Sequence, residues 1–139
     1  MLVQQLVQAD AAAVAFSANP ITGDREEVMI TSNWGLGESI VGGTVTPDLF
    51  VLRKGSGDLV SRELGVKERM TVRTADGTDE VETPPELQSF PSLTDAQASA
   101  IAQLASSLET DVGRPVDIEC AIANGVLYLL QCRPITTLG

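Results

Sequence analysis

Two carboxylates, a glutamine amide and one guanidinium fall within a single stretch of 20 residues, Pro115 to Pro134, which also holds the turn residue Asn124. Asp117 and Glu119 sit two apart in Val116-Asp117-Ile118-Glu119-Cys120-Ala121-Ile122, and Gln131 and Arg133 sit two apart in Val126-Leu127-Tyr128-Leu129-Leu130-Gln131-Cys132-Arg133. Aliphatic runs on either side of Ala123-Asn124-Gly125 read as two strands and a tight turn. A two-residue Asn-Gly loop would oppose Ile122 to Leu127 and Glu119 to Leu130, mixing polar and apolar side chains on each face. A three-residue loop, with Gly125 left-handed at a bulge, pairs Ile122 with Val126, Glu119 with Leu129 and Asp117 with Gln131. Val116, Ile118, Cys120, Ile122, Val126, Tyr128, Leu130 and Cys132 then share one face, and Asp117, Glu119, Gln131 and Arg133 the other. Because a slip of one residue would destroy this sorting, the three-residue loop is the expectation.

Carboxylate and amide oxygens are hard ligands that suit Mg²⁺, an ion that keeps several waters and shares its shell with phosphates. A guanidinium can fork onto a terminal phosphate. The cluster therefore has the composition of a magnesium-nucleotide site. A solvated sheet face with an ordinary cross-strand salt bridge has the same pattern, and periodicity does not decide between the two.

The elements that must hold this hairpin can be read along the rest of the chain. Met1 to Val7 and Ala12 to Ser17 are strand-like and separated by Gln8-Ala9-Asp10, and Asn19 to Asp24 is a second turn. Glu27 to Thr31 reads as a strand that feeds Asn33-Trp34-Gly35-Leu36-Gly37-Glu38 and a short helix ending near Gly42-Gly43. Leu49 to Arg53 is a strand after Pro47, and two short strand-like pieces flank Gly65 between Leu59 and Val72. Arg73 to Pro91 is polar, acidic and Pro-containing, and is expected to be a surface loop. Thr94 and Gln97 form a capping-box pattern, and Ile101, Leu104, Leu108 and Val112 follow at helical spacing, so a helix is expected over Leu93 to Asp111. Strands with one long helix and a short one indicate an α+β lobe with an antiparallel sheet.

Composition narrows the partners. The 139 residues carry 9 basic and 19 acidic side chains, a formal charge of −10, and such a field opposes nucleic-acid binding. No run approaches the roughly 20 apolar residues of a membrane span, and the first residues lack the pattern of a secretory signal. The expectation is one cytoplasmic domain over 1–139. Cys120 and Cys132 would stand four residues out of step, about 13 Å along the strands, too far for a disulfide. The chain has no histidine, so imidazole bases, imidazole metal sites and phosphohistidine chemistry are not its own.

Six segments in order resemble a known family: Val3-Gln4-Gln5-Leu6-Val7, Phe16-Ser17-Ala18-Asn19-Pro20-Ile21-Thr22-Gly23, Trp34-Gly35-Leu36-Gly37-Glu38, Val45-Thr46-Pro47-Asp48, Asp117-Ile118-Glu119 and Leu130-Gln131-Cys132-Arg133-Pro134-Ile135-Thr136. They are similar to the nucleotide-binding domain of the phosphoenolpyruvate synthase, pyruvate phosphate dikinase and rifampicin phosphotransferase family. The resemblance implies an ATP-grasp fold in which ATP is clamped between two lobes, this chain being the C-terminal one. It implies that Glu119 and Gln131 hold Mg²⁺ and ATP phosphates, that Arg133 meets the terminal phosphate, and that Gln4 lies near the nucleotide, although Leu6 replaces the commoner methionine. Asp117 is expected to orient its neighbours. Trp34 is expected to be a packing anchor, whereas Gly35 and Gly37 fit either a close phosphate or a tight turn.

The resemblance also implies partners. An N-terminal lobe with a glycine-rich phosphate loop and a swivelling phosphohistidine domain, in cis or in trans, would complete a phosphotransferase, and no catalytic residue is assigned within this chain. The competing expectation is a detached or degenerate lobe that folds and serves as an interaction module.

Overall fold

The computed structural model describes residues 10–37, 46–75 and 77–135. The expected strand over Met1 to Val7, with Gln4, and the expected short helix after Glu38 lie outside them.

Six strands form one antiparallel sheet: β1 (Ala11–Phe16), β2 (Glu27–Trp34), β3 (Asp48–Arg53), β4 (Leu59–Glu63), β7 (Val116–Ala123) and β8 (Val126–Pro134). Their spatial order is β4-β3-β2-β1-β7-β8, so the β1–β4 meander and the β7–β8 hairpin join along β1. β1 reads Ala-Ala-Ala-Val-Ala-Phe. Its small side chains keep bulk low in the centre of the sheet, where Ala11, Ala12, Ala13 and Ala15 are all buried.

The long helix α2 (Asp95–Val112) lies on one face of that sheet. Both halves of the capping box form: Gln97 N–H donates to Thr94 Oγ1 at 3.0 Å, and Thr94 N–H donates to Gln97 Oε1 at 2.9 Å. Gly113 closes the helix at φ 87°, a left-handed conformation that glycine adopts without a Cβ penalty. Ala98, Ile101, Ala102 and Ala105 face Val28, Ile30, Phe50, Leu52, Val116 and Ile118 in one core. Each fully buried Val, Ile, Leu or Phe side chain there contributes about 1.5–3 kcal/mol.

The segment from Arg73 to Pro91 is not a surface loop throughout. β5 (Arg69–Thr74) and β6 (Gly77–Glu82) pair as a two-stranded sheet, and the single turn α1 (Pro85–Gln88) follows. Polar composition misled because this hairpin has little core of its own. Instead it leans on the main sheet through Asn33 Nδ2, which donates to the Arg69 carbonyl at 3.0 Å, and Leu36 N–H, which donates to the Thr71 carbonyl at 2.8 Å.

A buried ionic knot holds the neighbouring segments. Lys67 Nζ lies 2.6 Å from Asp48 Oδ1, and both side chains are 0% exposed. Gly65 N–H donates to the same oxygen at 3.0 Å, while Ser92 donates to Asp48 Oδ2 from its backbone at 2.8 Å and its hydroxyl at 2.7 Å. Asp48, the last residue of the Val-Thr-Pro-Asp segment, is thus a structural hub.

Candidate nucleotide site

The β7–β8 hairpin carries the residues singled out above, and side-chain contacts anchor it at both ends. Ser17 accepts from Val116 N–H at 2.8 Å and donates to Glu109 at 2.6 Å. Glu109 is also held by Lys54 at 3.0 Å, so the C-terminal end of α2, the end of β1 and the start of β7 are tied together. At the other end, Asp10 accepts from Asn124 N–H at 2.9 Å.

The loop has two residues, not three. Ala123 pairs with Val126 and Ile122 with Leu127, and Asn124 (φ 52°) and Gly125 (φ 76°) both occupy the left-handed region. This is the type I′ geometry whose twist matches that of the strands. The expected bulge lies instead within β8. Cys120 pairs with Leu129 and Glu119 with Gln131, leaving Leu130 as the extra residue. Sorting of the four polar residues is therefore as expected, through a different device. Their partners change: Glu119 stands opposite Gln131, and Asp117 opposite Arg133. Val126, Tyr128 and Leu130 leave the face that they were expected to share with Val116, Ile118, Cys120 and Ile122. Tyr128 and Leu130 pack with Ala121 and Ala123 on the other face, and Leu127 takes a place against the core.

The face of the sheet turned away from α2 can now be followed across strands. Val14 pairs with Glu119 and Phe16 with Asp117, while Thr31 and Met29 oppose Val14 and Phe16 from β2. A mostly apolar floor formed by β1 and β2 thus leads up to the polar end formed by β7 and β8. Arg133 Nε donates to Asp117 Oδ1 at 3.2 Å, with the arginine side chain 60% exposed and the aspartate 20%. Beyond the backbone ladder, the side chains of Glu119 and Gln131 form no hydrogen bond or ion pair among the described residues. One carboxylate and one amide, directly opposed and unengaged, fit an ion that fills the rest of its shell with water and phosphate. No group of three His, Cys, Asp or Glu side chains that could enclose a metal occurs among the described residues.

The helix-facing side of the same hairpin is chemically quiet. Burial, and secondarily the charge of Glu119, push the Cys120 thiol up to about 12. Cys132 pairs with Ile118, so the two cysteines are offset by two residues, not four, and both are free. Trp34 is a packing anchor. It packs on the core, donates from Nε1 to the Leu87 carbonyl at 2.8 Å and stacks on Phe90 at 6.5 Å. Gly35, at φ 77°, is explained by packing: a Cβ there would run into the Thr71 carbonyl oxygen of β5. Sequence reasoning missed Asn33, which is fully buried, with Oδ1 unpartnered among the described residues. Its only sequence signal is an amide placed just before the Trp-Gly-Leu-Gly segment.

Comparison with known proteins gives the family. The family model described as the pyruvate phosphate dikinase AMP/ATP-binding domain matches residues 1–139. A probable phosphoenolpyruvate synthase of Methanothermobacter thermautotrophicus is 41% identical over 139 residues, which is all of this chain and 20% of the relative. An uncharacterized phosphotransferase of Bacillus subtilis is 42% identical over 138 residues, covering 99% of this chain and 16% of its own length. A rifampicin phosphotransferase of Streptomyces sviceus is 39% identical over 139 residues, again 99% of this chain and 16% of the relative. The chain thus spans a fifth or less of these relatives. An α+β sheet-and-helix lobe with an acidic–amide–guanidinium hairpin, matched end to end by the family model, makes this chain a member of the pyruvate phosphate dikinase AMP/ATP-binding domain family.

Proposed function

We propose that this chain is the C-terminal lobe of an ATP-grasp domain and contributes half of a Mg-ATP site to a larger phosphotransferase. The observation that carries the reading is the directly opposed pair Glu119 and Gln131, whose side chains have no partner among the described residues, beside the Asp117–Arg133 ion pair. Phosphoryl transfer asks the protein mainly for charge neutralisation and alignment. Glu119 and Gln131 would hold Mg²⁺, which when bound neutralises and aligns the phosphate oxygens. Arg133 would fork onto the terminal phosphate, and Asp117 holds its guanidinium over the site until phosphate replaces that contact. The apolar floor of Val14, Phe16, Thr31 and Met29 suits the rest of the nucleotide. Gln4, outside the described residues, belongs to the proposed nucleotide contacts by its motif alone.

The rest of the machinery would come from elsewhere. On the family resemblance, the phosphate would pass to a histidine and from there to the acceptor, and because this chain has no histidine that residue would lie on another domain. The N-terminal lobe and that domain are the proposed partners, in cis or in trans, and the cytoplasm is the proposed compartment. No helix among the described residues is long and apolar enough to cross a membrane.

Calorimetric titration of Mg-ATP into the chain, alone and mixed with a matching N-terminal lobe, tests the reading. Binding in the mixture that is lost in Glu119→Ala is the expected result. No binding in either case would sink it and leave an interaction module as the better account.

A further inference from the structure

The loop between β1 and β2 takes no part in the nucleotide contacts proposed above, and it is held by a set of hydrogen bonds centred on Asn19, which is 5% exposed. Asn19 Oδ1 accepts from Ile21 N–H at 3.0 Å and from Thr22 N–H at 3.3 Å, while its Nδ2 donates to Glu27 at 3.1 Å. The backbone is tied as well. Gly23 N–H donates to the Asn19 carbonyl at 2.7 Å, and Asn19 N–H donates to the Asp24 carbonyl at 2.9 Å. Within this fixed loop Ile21 is 77% exposed, the most exposed large hydrophobic side chain among the described residues. A lone exposed apolar side chain is ordinary on a protein surface. What sets this one apart is a backbone already fixed around it and its place relative to the site.

The loop leaves the sheet at the end where Arg133 lies. Met29 of β2, Phe16 of β1, Asp117 of β7 and Arg133 of β8 form one row across the sheet, and Ser17 N–H extends that end of β1 by donating to the Val116 carbonyl at 2.8 Å. β1 and β8 are two strand spacings apart, about 10 Å. Ile21 follows Phe16 closely enough to stay within about 17 Å of it even with the chain extended. It therefore stands beside the end of the site assigned to the terminal phosphate. Whatever takes up that phosphate must come to this end. The chain has no histidine and spans a fifth or less of the relatives it matches, so the accepting histidine would be carried by a separate domain that approaches Arg133 and leaves again.

From this we infer that the Asn19–Asp24 loop is the docking point for that histidine-bearing domain, with Ile21 as the side chain that enters an apolar recess on it. The inference rests on the Mg-ATP reading, which puts the terminal phosphate at Arg133. The scale of the contact fits such a visitor. Burying one isoleucine shifts a docking equilibrium by about 10- to 100-fold, enough to favour approach and too little for a permanent interface, which buries far more surface. Because Asn19 already fixes the loop backbone, docking would freeze little more of it.

The test uses the whole phosphotransferase that carries this segment, with Ile21→Ala, Ile21→Asp and Ile21→Val beside the parent. Affinity for Mg²⁺ with a non-hydrolysable ATP analogue is measured by calorimetry, and phosphate transfer from Mg-ATP to the histidine is followed in a single turnover. A docking equilibrium that must release its domain is not saturated, so the transfer rate follows the docked fraction. Transfer should fall about tenfold or more in Ile21→Ala, further in Ile21→Asp, and stay within about fourfold in Ile21→Val, which loses one methylene. Analogue affinity should match the parent in all three. Parental transfer in Ile21→Asp would overturn the inference and leave the Mg-ATP reading standing; a loss of analogue affinity in step with transfer would also overturn it, by placing Ile21 in the nucleotide site. A photo-reactive benzoylphenylalanine at position 21 gives an independent readout. Its adducts should map to the histidine-bearing domain, whereas adducts confined to the N-terminal lobe, or none, would overturn the inference. If the parent fails to bind the analogue, the Mg-ATP reading falls and the cross-link by itself decides whether the loop docks that domain.

Discussion

Asp48→Ala is expected to be among the most damaging single changes in this chain, although it lies outside the proposed site. The carboxylate accepts four hydrogen bonds at 2.6–3.0 Å, from Lys67 Nζ, Gly65 N–H, Ser92 N–H and Ser92 Oγ. Its removal leaves the Lys67 ammonium fully buried, with the Gly65 carbonyl at 2.9 Å as its remaining partner in this knot. Breaking a buried pair in this way costs about 3–5 kcal/mol, because the surviving charge has neither water nor a counter-ion. Lys67→Met is expected to cost less, about 2–3 kcal/mol, since the carboxylate keeps three neutral donors. The combined Asp48→Asn, Lys67→Met variant removes both charges, and its loss should be smaller than the Asp48→Ala loss alone. Equilibrium urea unfolding followed by far-ultraviolet circular dichroism measures all three, with coupling read from the double-mutant comparison. An Asp48→Ala loss below about 1 kcal/mol would refute the reasoning, because it would mean that the pair is hydrated in solution.

Other outcomes follow from the site and its supports. Arg133→Lys is expected to change stability by less than about 1 kcal/mol, because the Asp117 pair is largely exposed on the arginine side; it should nevertheless weaken Mg-ATP binding about tenfold or more by losing the planar fork, measured by calorimetry. Gly35→Ala should destabilise by at least about 2 kcal/mol in urea unfolding, since the added Cβ meets both a left-handed backbone and the Thr71 carbonyl. Cys120, raised to about 12 by burial and by Glu119, is protonated in the fold at pH values where the unfolded thiol ionises. Its contribution to stability is therefore complete below the unfolded pKa of about 8.5 and declines as pH rises from there towards 12. Native Cys120 should resist thiol reagents at pH 8, with Cys132 the faster of the two, as mass spectrometry after timed alkylation would show.

The fold was legible where one physical signal dominated. Thr94 and Gln97 predicted the start of α2 because a capping box satisfies orphan backbone donors locally, without help from distant residues. The strands β1, β2 and β3 were readable from short aliphatic runs bounded by Pro, Gly and Asn. β5 and β6 were half-missed, because the strand Gly77-Thr78-Asp79-Glu80-Val81-Glu82 has no apolar alternation of its own and its partner β5 leans through Thr71 on Gly35 and Leu36, just beyond the end of β2. The same holds for the role of Gly35: a close approach to Thr71, distant in sequence, leaves no trace in the local pattern.

The site divides along the same line. That Asp117, Glu119, Gln131 and Arg133 share a face follows from residue type alone, because burying any of them against α2 would leave a polar group unsatisfied. How they come to share it does not follow. A bulge in the loop and a bulge in the strand restore the same parity, and only the tertiary pairing of β7 with β1 and β8 chose the second, setting Glu119 against Gln131 and Asp117 against Arg133. The buried Asp48–Lys67 pair was equally hidden, since two ordinary charged residues 19 positions apart become a single unit only when the fold removes water from both. Composition and period determined which side chains must meet solvent; long-range packing, which alone sets distance and desolvation, decided which of them meet each other.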